Sequence, residues 1–398
     1  MLKPLTTICL ISLALGLPEA SGKRGKAKAD SPPQAESVET VESSPVVAPA
    51  PKPAPALFPD GLPVDLSSLP AGLASLSAQS CNACHFETHD LWAPSNHATG
   101  HLGETYQRAL AELNHPTACQ SCHLPVLSQH RQLTAGHKGG DLSRPEQHPN
   151  DGWNAGLETE GVTCAACHIR DGVVIGTRAF EGAPHEVRVS EALSQPEFCA
   201  TCHQASVDTV FEDADGNAKG LAIYDTYGEW KASPYAAAGV GCVDCHGGAG
   251  TLGGPTNSHA LEIDTARAVT ITIDLSDGVV QRGKALGYEI TLQNTGAGHA
   301  FPTGSPFKAV RLEATLLNAK GEPLDEPHTL PLGRTISEGP RPRITADHRL
   351  LPGESMKMKG RFDVSQKARA GPARFHVRIV QEGLGQPLVD RAMNITVN

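Results

Sequence analysis

Beyond residue 263 the chain alternates apolar and polar residues with a period of two. This alternation predicts β-strands that bury one face. Glycine and proline separate the runs, which cover residues 269–275, 286–292, 310–316, 356–359, 375–380 and 392–397. A series of short strands in one cysteine-free segment favours an all-β, immunoglobulin-like sandwich over residues 263–398.

Between residues 79 and 262 no hydrophobic period dominates, and the most regular feature is the motif Cys-x-x-Cys-His. It occurs five times and uses all but one of the 11 cysteines. The five copies are Cys81, Cys84 and His85; Cys119, Cys122 and His123; Cys164, Cys167 and His168; Cys199, Cys202 and His203; and Cys242, Cys245 and His246.

The spacing of the motif is typical of covalent haem attachment. Two thiols three positions apart can bond the two vinyl groups of one porphyrin, and the adjacent imidazole then reaches the iron. A four-thiolate zinc site needs two such pairs and no histidine after each, so five pairs would leave one unmatched. A disulfide framework would not place a histidine after every pair. We therefore predict five covalently attached haem c groups with their iron.

Composition changes the expected fold of this segment. Aromatic residues make up only 4% of the chain, and five porphyrins would supply much of the apolar bulk that the core needs. We therefore predict a pentahaem domain over residues 79–262 that is mainly α-helical and irregular, with short helices and long loops.

The N-terminal segment indicates export. Residues 4–17 are apolar, follow Lys3 and precede the small residues Ala20, Ser21 and Gly22, which is the outline of a secretory signal peptide over residues 1–22. The apolar stretch is short for a membrane span, so we expect membrane association only if it stays uncleaved. Residues 23–78 are rich in Pro, Ala, Ser and Glu and read as a disordered linker. The expected location is the periplasm or the cell surface.

The formal charge of −10 excludes a broadly basic nucleic-acid-binding surface. Haem propionates would make the protein more acidic still, so redox partner proteins are expected to present positive patches or to dock at a haem edge. The sequence leaves the oligomeric state open.

Five irons that each have one histidine need sixth ligands, and 18 histidines are present in all. His97 ends the unit Trp92-x-x-Ser-x-His, where a helix could present it to a haem. The other candidates are His185, which follows a proline; His259, which follows the fifth motif; His299, in a glycine-rich loop of the β-segment; and His115, just before Cys119. His299 could instead lie in a hairpin loop and only form hydrogen bonds.

Tyr235 takes the place of His97 in a second copy of this unit, Trp230-x-x-Ser-x-Tyr. A tyrosine there could ligate iron weakly, guard an open iron or merely pack. An open iron near Tyr235 could bind a small molecule, and no catalytic residue is predicted.

The motifs together resemble the multihaem c-type cytochromes of the cytochrome c-552/c-554 type. The matching segments are residues 92–97, 160–168, 198–204, 229–236 and 239–246, and the loop 298–304 is similar to one in a β-domain that some of these proteins append. The resemblance implies stacked haem pairs, mostly bis-histidine iron, and electron transfer outside the cytoplasm.

Three functions follow as hypotheses. The first is an electron carrier between redox partners. The second is an oxidoreductase with one open haem that acts on a small nitrogen or sulfur compound such as nitrite or hydroxylamine. The third makes the β-segment a docking module for a reductase, a membrane complex or a surface polymer.

Overall fold

The computed structural model describes residues 62–398 except 114–115, 139–143, 207–221, 248–257, 262–263, 338–342, 383–384 and 386. The predicted signal peptide, the predicted linker up to residue 61 and His115 lie outside the described residues. The described part contains no helix that is long and apolar enough to cross a membrane.

The helices lie before residue 269 and are short, with four to ten residues each. They are α1 (Ala78–Asn82), α2 (Phe86–Trp92), α3 (Asn96–Thr99), α4 (Glu104–Leu113), α5 (Pro116–His123), α6 (Ala155–Glu158), α7 (Cys164–His168), α8 (Pro196–His203), α9 (Thr226–Lys231), α10 (Pro234–Ala237), α11 (Cys242–His246) and α12 (Thr265–Ala268). Single 3₁₀ turns cover Gly100–Leu102, Leu127–Gln129 and Glu191–Ser194.

Short strands alternate with these helices. They are β1 (Gln132–His137), β2 (Pro145–Pro149), β3 (Ile169–Arg170), β4 (Val173–Gly176), β5 (Val187–Val189), β6 (Ala205–Ser206) and β7 (Ala222–Tyr224). β1 pairs with β2, β6 pairs with β7, and β3, β4 and β5 form a sheet of three. A small apolar cluster around Val126, Ala165 and Ile169 includes Leu66 from the N-terminal side.

The remaining strands belong to the C-terminal segment. They are β8 (Val269–Leu275), β9 (Val279–Val280), β10 (Ala285–Asn294), β11 (Val310–Asn318), β12 (His328–Leu332), β13 (Arg334–Ile336), β14 (Ile344–Asp347), β15 (Ser355–Asp363), β16 (Gly371–Gln381) and β17 (Pro387–Val397). One sheet has the order β15-β10-β8 and a second has β12-β11-β16-β17-β9. The buried faces of both sheets contribute to one apolar core, which includes Ile290, Leu312, Phe362 and Phe375.

Each strand that the alternation predicts is present in the C-terminal segment. β8 has the predicted bounds, and β10, β11, β15, β16 and β17 extend the other runs by a few residues. In β10, buried residues alternate with half-exposed ones from Leu286 to Asn294, because successive side chains of a strand point to opposite faces. The alternation did not predict β9, β12, β13 or β14.

The predicted fold class is wrong in its first part. The described residues are mostly β, and the segment that carries the Cys-x-x-Cys-His motifs is not mainly α-helical. Its helices stop after one to three turns; Gly100 follows α3, Gly247 follows α11, and α7 runs directly into β3. Low aromatic content predicted short helices, but it gave no information on the strands between them. The two sheets of the C-terminal segment are compatible with the sandwich part of the prediction.

Candidate haem-binding sites

Four of the five motif histidines end a short helix, in α5, α7, α8 and α11. In the first motif, His85 follows α1, and its amide still donates to the Cys81 carbonyl oxygen at 2.8 Å. Residues three apart lie on one face of a helical turn, so this local geometry places two cysteines on one side of the backbone. It is the arrangement that attachment to one porphyrin requires.

Each of four motif histidines lies opposite a histidine from a distant part of the chain. The distances between ring centres are 6.4 Å for His85 and His185, 5.9 Å for His168 and His259, 6.2 Å for His203 and His97, and 6.2 Å for His246 and His299. A metal ion that bonds one nitrogen of each imidazole at about 2 Å separates the ring centres by about 6 Å. The spacing therefore fits one iron between each pair. The ligand assignment itself stays a prediction.

Hydrogen bonds to backbone carbonyl oxygens set the tautomer of His168 and His299, and Nδ1 of His185 makes a longer one to Glu186 at 3.4 Å. Nδ1 of His168 lies 2.9 Å from the Ile175 carbonyl oxygen, and Nδ1 of His299 lies 3.0 Å from the Ala300 carbonyl oxygen. Because a carbonyl oxygen only accepts, Nδ1 must donate, and Nε2 keeps the lone pair that a metal ion needs. Such bonds orient the imidazoles that bind metals in proteins.

Burial favours the neutral form of five of the histidine rings. It lowers the pKa of His97, His168 and His299, and it lowers the pKa of His203 and His123 to about 4. Neighbouring histidines contribute in the same direction, since one charged ring disfavours another. A metal-ligating histidine must be deprotonated at the bonding nitrogen, so these rings are in the required state at neutral pH.

The Trp-x-x-Ser units have a structural role that explains their repetition. Ser95 caps α3 and Ser233 caps α10 through their side chains. The indole N–H of Trp92 donates to the Val162 carbonyl oxygen, and that of Trp230 donates to the Val240 carbonyl oxygen, both at 2.9 Å. Each acceptor precedes an attachment motif by two residues. Trp92 thus ties the first unit to the third Cys-x-x-Cys-His motif, and Trp230 ties the second unit to the fifth.

The two units differ in the residue that lies two positions after the serine cap. His97 lies opposite His203, whereas the Tyr235 hydroxyl donates to the Thr295 carbonyl oxygen at 2.9 Å. The ring that faces His246 is His299, and the two planes differ by only 11°. Tyr235 therefore packs against the loop that carries His299.

The second motif is arranged differently from the other four. The aromatic ring that contacts His123 is Tyr106 of α4, with 4.1 Å between the ring centres. That spacing is direct ring contact and leaves no room for a metal ion between them. His101 is buried nearby, and neither ring nitrogen has a hydrogen-bond partner among the described residues. No feature of the sequence had distinguished Tyr106.

The remaining histidines have other surroundings. Nε2 of buried His130 lies 2.6 Å from the Leu124 carbonyl oxygen, and Nδ1 of His328 lies 2.6 Å from the Tyr288 hydroxyl. His376 pairs with Asp390, and His148 and His348 are exposed. Within the described ranges, no group of three or more His, Cys, Asp or Glu side chains is arranged to hold a metal ion.

Contacts between cysteines show which motifs are neighbours. Hydrogen bonds between thiols lower the pKa of one partner and raise that of the other in three pairs, Cys81 with Cys164, Cys122 with Cys202, and Cys242 with Cys199. Cys167 also raises the pKa of Cys199 and Cys202, although less than their hydrogen bonds and burial do. The fourth motif therefore lies near the second, third and fifth, and the first lies near the third.

No family model and no curated protein matches the chain. Among solved structures, it is similar to a penta-heme cytochrome c552 from Thermochromatium tepidum, with a TM-score of 0.54 and 16% identity over 82% of this chain and 100% of that chain. The fold resembles that of a multihaem cytochrome. At this identity the similarity concerns the fold alone.

Two further solved structures match only part of the chain. A CARDB domain from Pyrococcus furiosus has a TM-score of 0.21 and 16% identity over 33% of this chain and 87% of that chain. The sporulation control protein Spo0M from Bacillus subtilis has a TM-score of 0.19 and 10% identity over 33% of this chain and 49% of that chain. Both TM-scores are too low to support an inference.

Proposed function

We propose that the chain is an exported pentahaem c-type cytochrome that passes electrons between redox partners. The observation that carries this proposal is the set of four facing histidine pairs, each of which joins a motif histidine to a second imidazole at the spacing of a shared metal ion. Haem iron held by two histidines gains and loses one electron without a free position for substrate.

The contacts between motifs support a branched order of haems. The first motif adjoins the third, the third adjoins the fourth, and the second and fifth both adjoin the fourth through the thiols of Cys122 with Cys202 and Cys242 with Cys199. Porphyrins attached at neighbouring thiols lie close together. We propose that the haem of the fourth motif distributes electrons among the others and that the first motif lies at one end.

A kinetic experiment tests both the cofactor and its role. The full-length protein, produced with its haems attached, is expected to contain five haems and to take up five electrons per chain in a reductive titration without any substrate. Reduction by a fast donor should follow a single phase. A haem content near zero, or oxidation that occurs only when nitrite or hydroxylamine is added, would contradict the electron-carrier proposal.

Removal of single haems tests the order. The double variant Cys199→Ala/Cys202→Ala removes the proposed central haem, so reduction of the remaining four should split into separate phases. The matched double variant Cys81→Ala/Cys84→Ala removes a terminal haem and should keep a single phase. Equal kinetics for the two variants would contradict the branched order.

A second candidate function is favoured by the contact between Tyr106 and His123. The ring that contacts His123 is Tyr106, whereas His246 lies opposite His299, so we propose the second motif rather than the fifth as the site of an open haem. An open iron could bind a small nitrogen or sulfur compound, while the other haems supply electrons. Electron paramagnetic resonance of the oxidised protein should then show one high-spin haem in five, and five low-spin haems would exclude this function.

The acidic surface and the N-terminal segment support the remaining parts of the proposal. Donor and acceptor proteins are expected to present positive charge, so their association rates should fall as salt concentration rises. Export is testable by fractionation of cells that produce the full-length chain, with the haem-containing protein expected outside the cytoplasm.

A further inference from the structure

Glu229 is a buried carboxylate that joins the motif-bearing segment to the C-terminal sheets. It lies on α9, and its side chain is only 4% exposed. Its Oε2 accepts hydrogen bonds from the Ala300 amide at 3.1 Å and from the Thr303 hydroxyl at 2.7 Å. Its Oε1 accepts from Nη1 of Arg349 at 2.5 Å. All of these partners lie more than 70 residues away along the chain.

These hydrogen bonds converge on the backbone of His299. The amide that Glu229 accepts from belongs to Ala300, the next residue, and the Ala300 carbonyl oxygen accepts from Nδ1 of the His299 ring. On the other side, Nδ2 of buried Asn294 donates to the His299 carbonyl oxygen at 2.8 Å. Backbone and ring of His299 are therefore held from both sides, and its plane lies within 11° of His246.

The carboxylate also depends on these contacts. A charge in this environment is unstable unless it is paired and hydrogen-bonded. Arg349 supplies the pairing charge and is itself held by Asp347, whose Oδ2 accepts from Nη2 at 2.8 Å. Arg349 thus fixes the Glu229 carboxylate, and the Ala300 amide and the Thr303 hydroxyl both donate to its Oε2.

The neighbour of Glu229 in the chain contacts the segment that leads into the fifth motif. Glu229 directly precedes Trp230, whose indole N–H bonds to the Val240 carbonyl oxygen two residues before Cys242. One helix, α9, therefore contacts both the segment that leads into the fifth motif and the loop that carries the facing imidazole. In the first Trp-x-x-Ser unit the equivalent residue is Leu91, which cannot accept a hydrogen bond.

We propose that Glu229 is a positioning residue that holds His299 opposite His246, so that the C-terminal sheets complete the fifth haem site instead of serving as a separate docking module. This inference rests on the proposed function, in which the fifth motif carries a haem. Glu229 acts through Ala300, Thr303 and Arg349 and does not itself touch the haem iron.

The experiment compares Glu229→Ala and Glu229→Gln in the full-length, haem-loaded protein. Loss of the anchor frees the His299 loop, so Glu229→Ala should add one high-spin haem per chain in electron paramagnetic resonance. The reduced variant should bind one more molecule of carbon monoxide per chain than the native protein. Glu229→Gln keeps the shape but weakens the pairing with Arg349, and it should show a smaller part of both changes.

Glu313→Gln is the matched control. Glu313 is also buried and accepts hydrogen bonds from Arg311 at 2.6 Å and Arg378 at 2.9 Å, but none of its hydrogen bonds reaches the His299 loop. The free energy of unfolding of Glu313→Gln should fall about as much as that of Glu229→Gln, but the spin state of its haems should not change. If Glu229→Ala does not fold, Thr303→Val removes one of the two hydrogen bonds to Oε2 and should give a partial high-spin signal.

The variant His299→Ala distinguishes a failure of the proposed function from a failure of the positioning role of Glu229. If His299→Ala leaves the spin state unchanged, the fifth iron is not held as proposed and the proposed function fails at this site. If His299→Ala adds a high-spin haem but the Glu229 and Thr303 variants keep the native spectrum, His299 remains a ligand and the positioning role of Glu229 is overturned.

Discussion

Gly161→Ala is expected to displace His97 and to disturb the proposed fourth haem site selectively. Gly161 has a positive φ of 61°, and a Cβ atom added there would lie 2.5 Å from the carbonyl oxygens of both His97 and Ala98. The Val162 amide donates to the His97 carbonyl oxygen at 2.8 Å. The backbone of His97 therefore rests directly on this glycine.

The cost of the substitution has two parts. A non-glycine residue in the left-handed conformation costs about 1–2 kcal/mol. The overlap with two carbonyl oxygens adds about 1–3 kcal/mol, the range for overpacking in a core, because backbone cannot give way as a flexible side chain does. Relief of the overlap requires a shift of about 1 Å, which is large beside the tolerance of about 0.5 Å for a metal ligand.

Gly321→Ala is the control for the cost of placing a non-glycine residue at a positive φ. Gly321 has a φ of 82°, and an added Cβ atom would meet nothing within 4 Å. Urea unfolding should show Gly161→Ala to be less stable than Gly321→Ala by about 1–3 kcal/mol, and only Gly161→Ala should add a high-spin haem in electron paramagnetic resonance. Equal stability and identical spectra for the two variants would refute the reasoning.

Three further outcomes follow from the described contacts. His185→Ala should convert one low-spin haem to high spin, because His185 faces His85 at 6.4 Å, whereas exposed His348→Ala should leave the spectrum unchanged. Tyr106→Ala removes the ring that packs on His123, so the imidazole should be held less firmly and the reduction potential of the second haem should shift, whereas an unchanged potential would contradict a role of this contact in holding His123. Phe362→Ala should lower the free energy of unfolding by about 3–5 kcal/mol, since the ring is fully buried between Tyr288 and Phe375; a loss below about 1 kcal/mol would argue against that packing.

Local sequence features identify the Cys-x-x-Cys-His motifs and correctly predicted the long C-terminal strands. The thiol spacing in Cys164-x-x-Cys167-His168 depends only on one helical turn, and the alternation in β10 depends only on the pleat of one strand. Such features are fixed within a few residues, so they can be read from the chain directly. The mainly α-helical expectation failed because strands as short as β3 and β6 carry no recognisable period.

The pairing of histidines illustrates what local patterns leave open. His97 and His185 were both candidates by residue type, but their partners do not follow chain order. His97 lies after the first motif and faces His203 of the fourth, whereas His185 lies after the third motif and faces His85 of the first. Tyr235 is a candidate neighbour of an open iron because it fills the slot of His97 in the second unit, and only the structure places the His299 ring opposite His246.

The sequence by itself determined how many attachment motifs the chain has, which residues form them and where the long strands of the C-terminal segment lie. The tertiary structure alone decided which imidazoles face each other, that Tyr106 contacts His123, and that Glu229 and Arg349 hold the loop of His299. The reason is how far apart along the chain the interacting residues lie. Thiol spacing and strand alternation are set by a single turn or pleat, whereas each histidine pair brings together residues that are distant in the chain and meet only when the whole chain is packed.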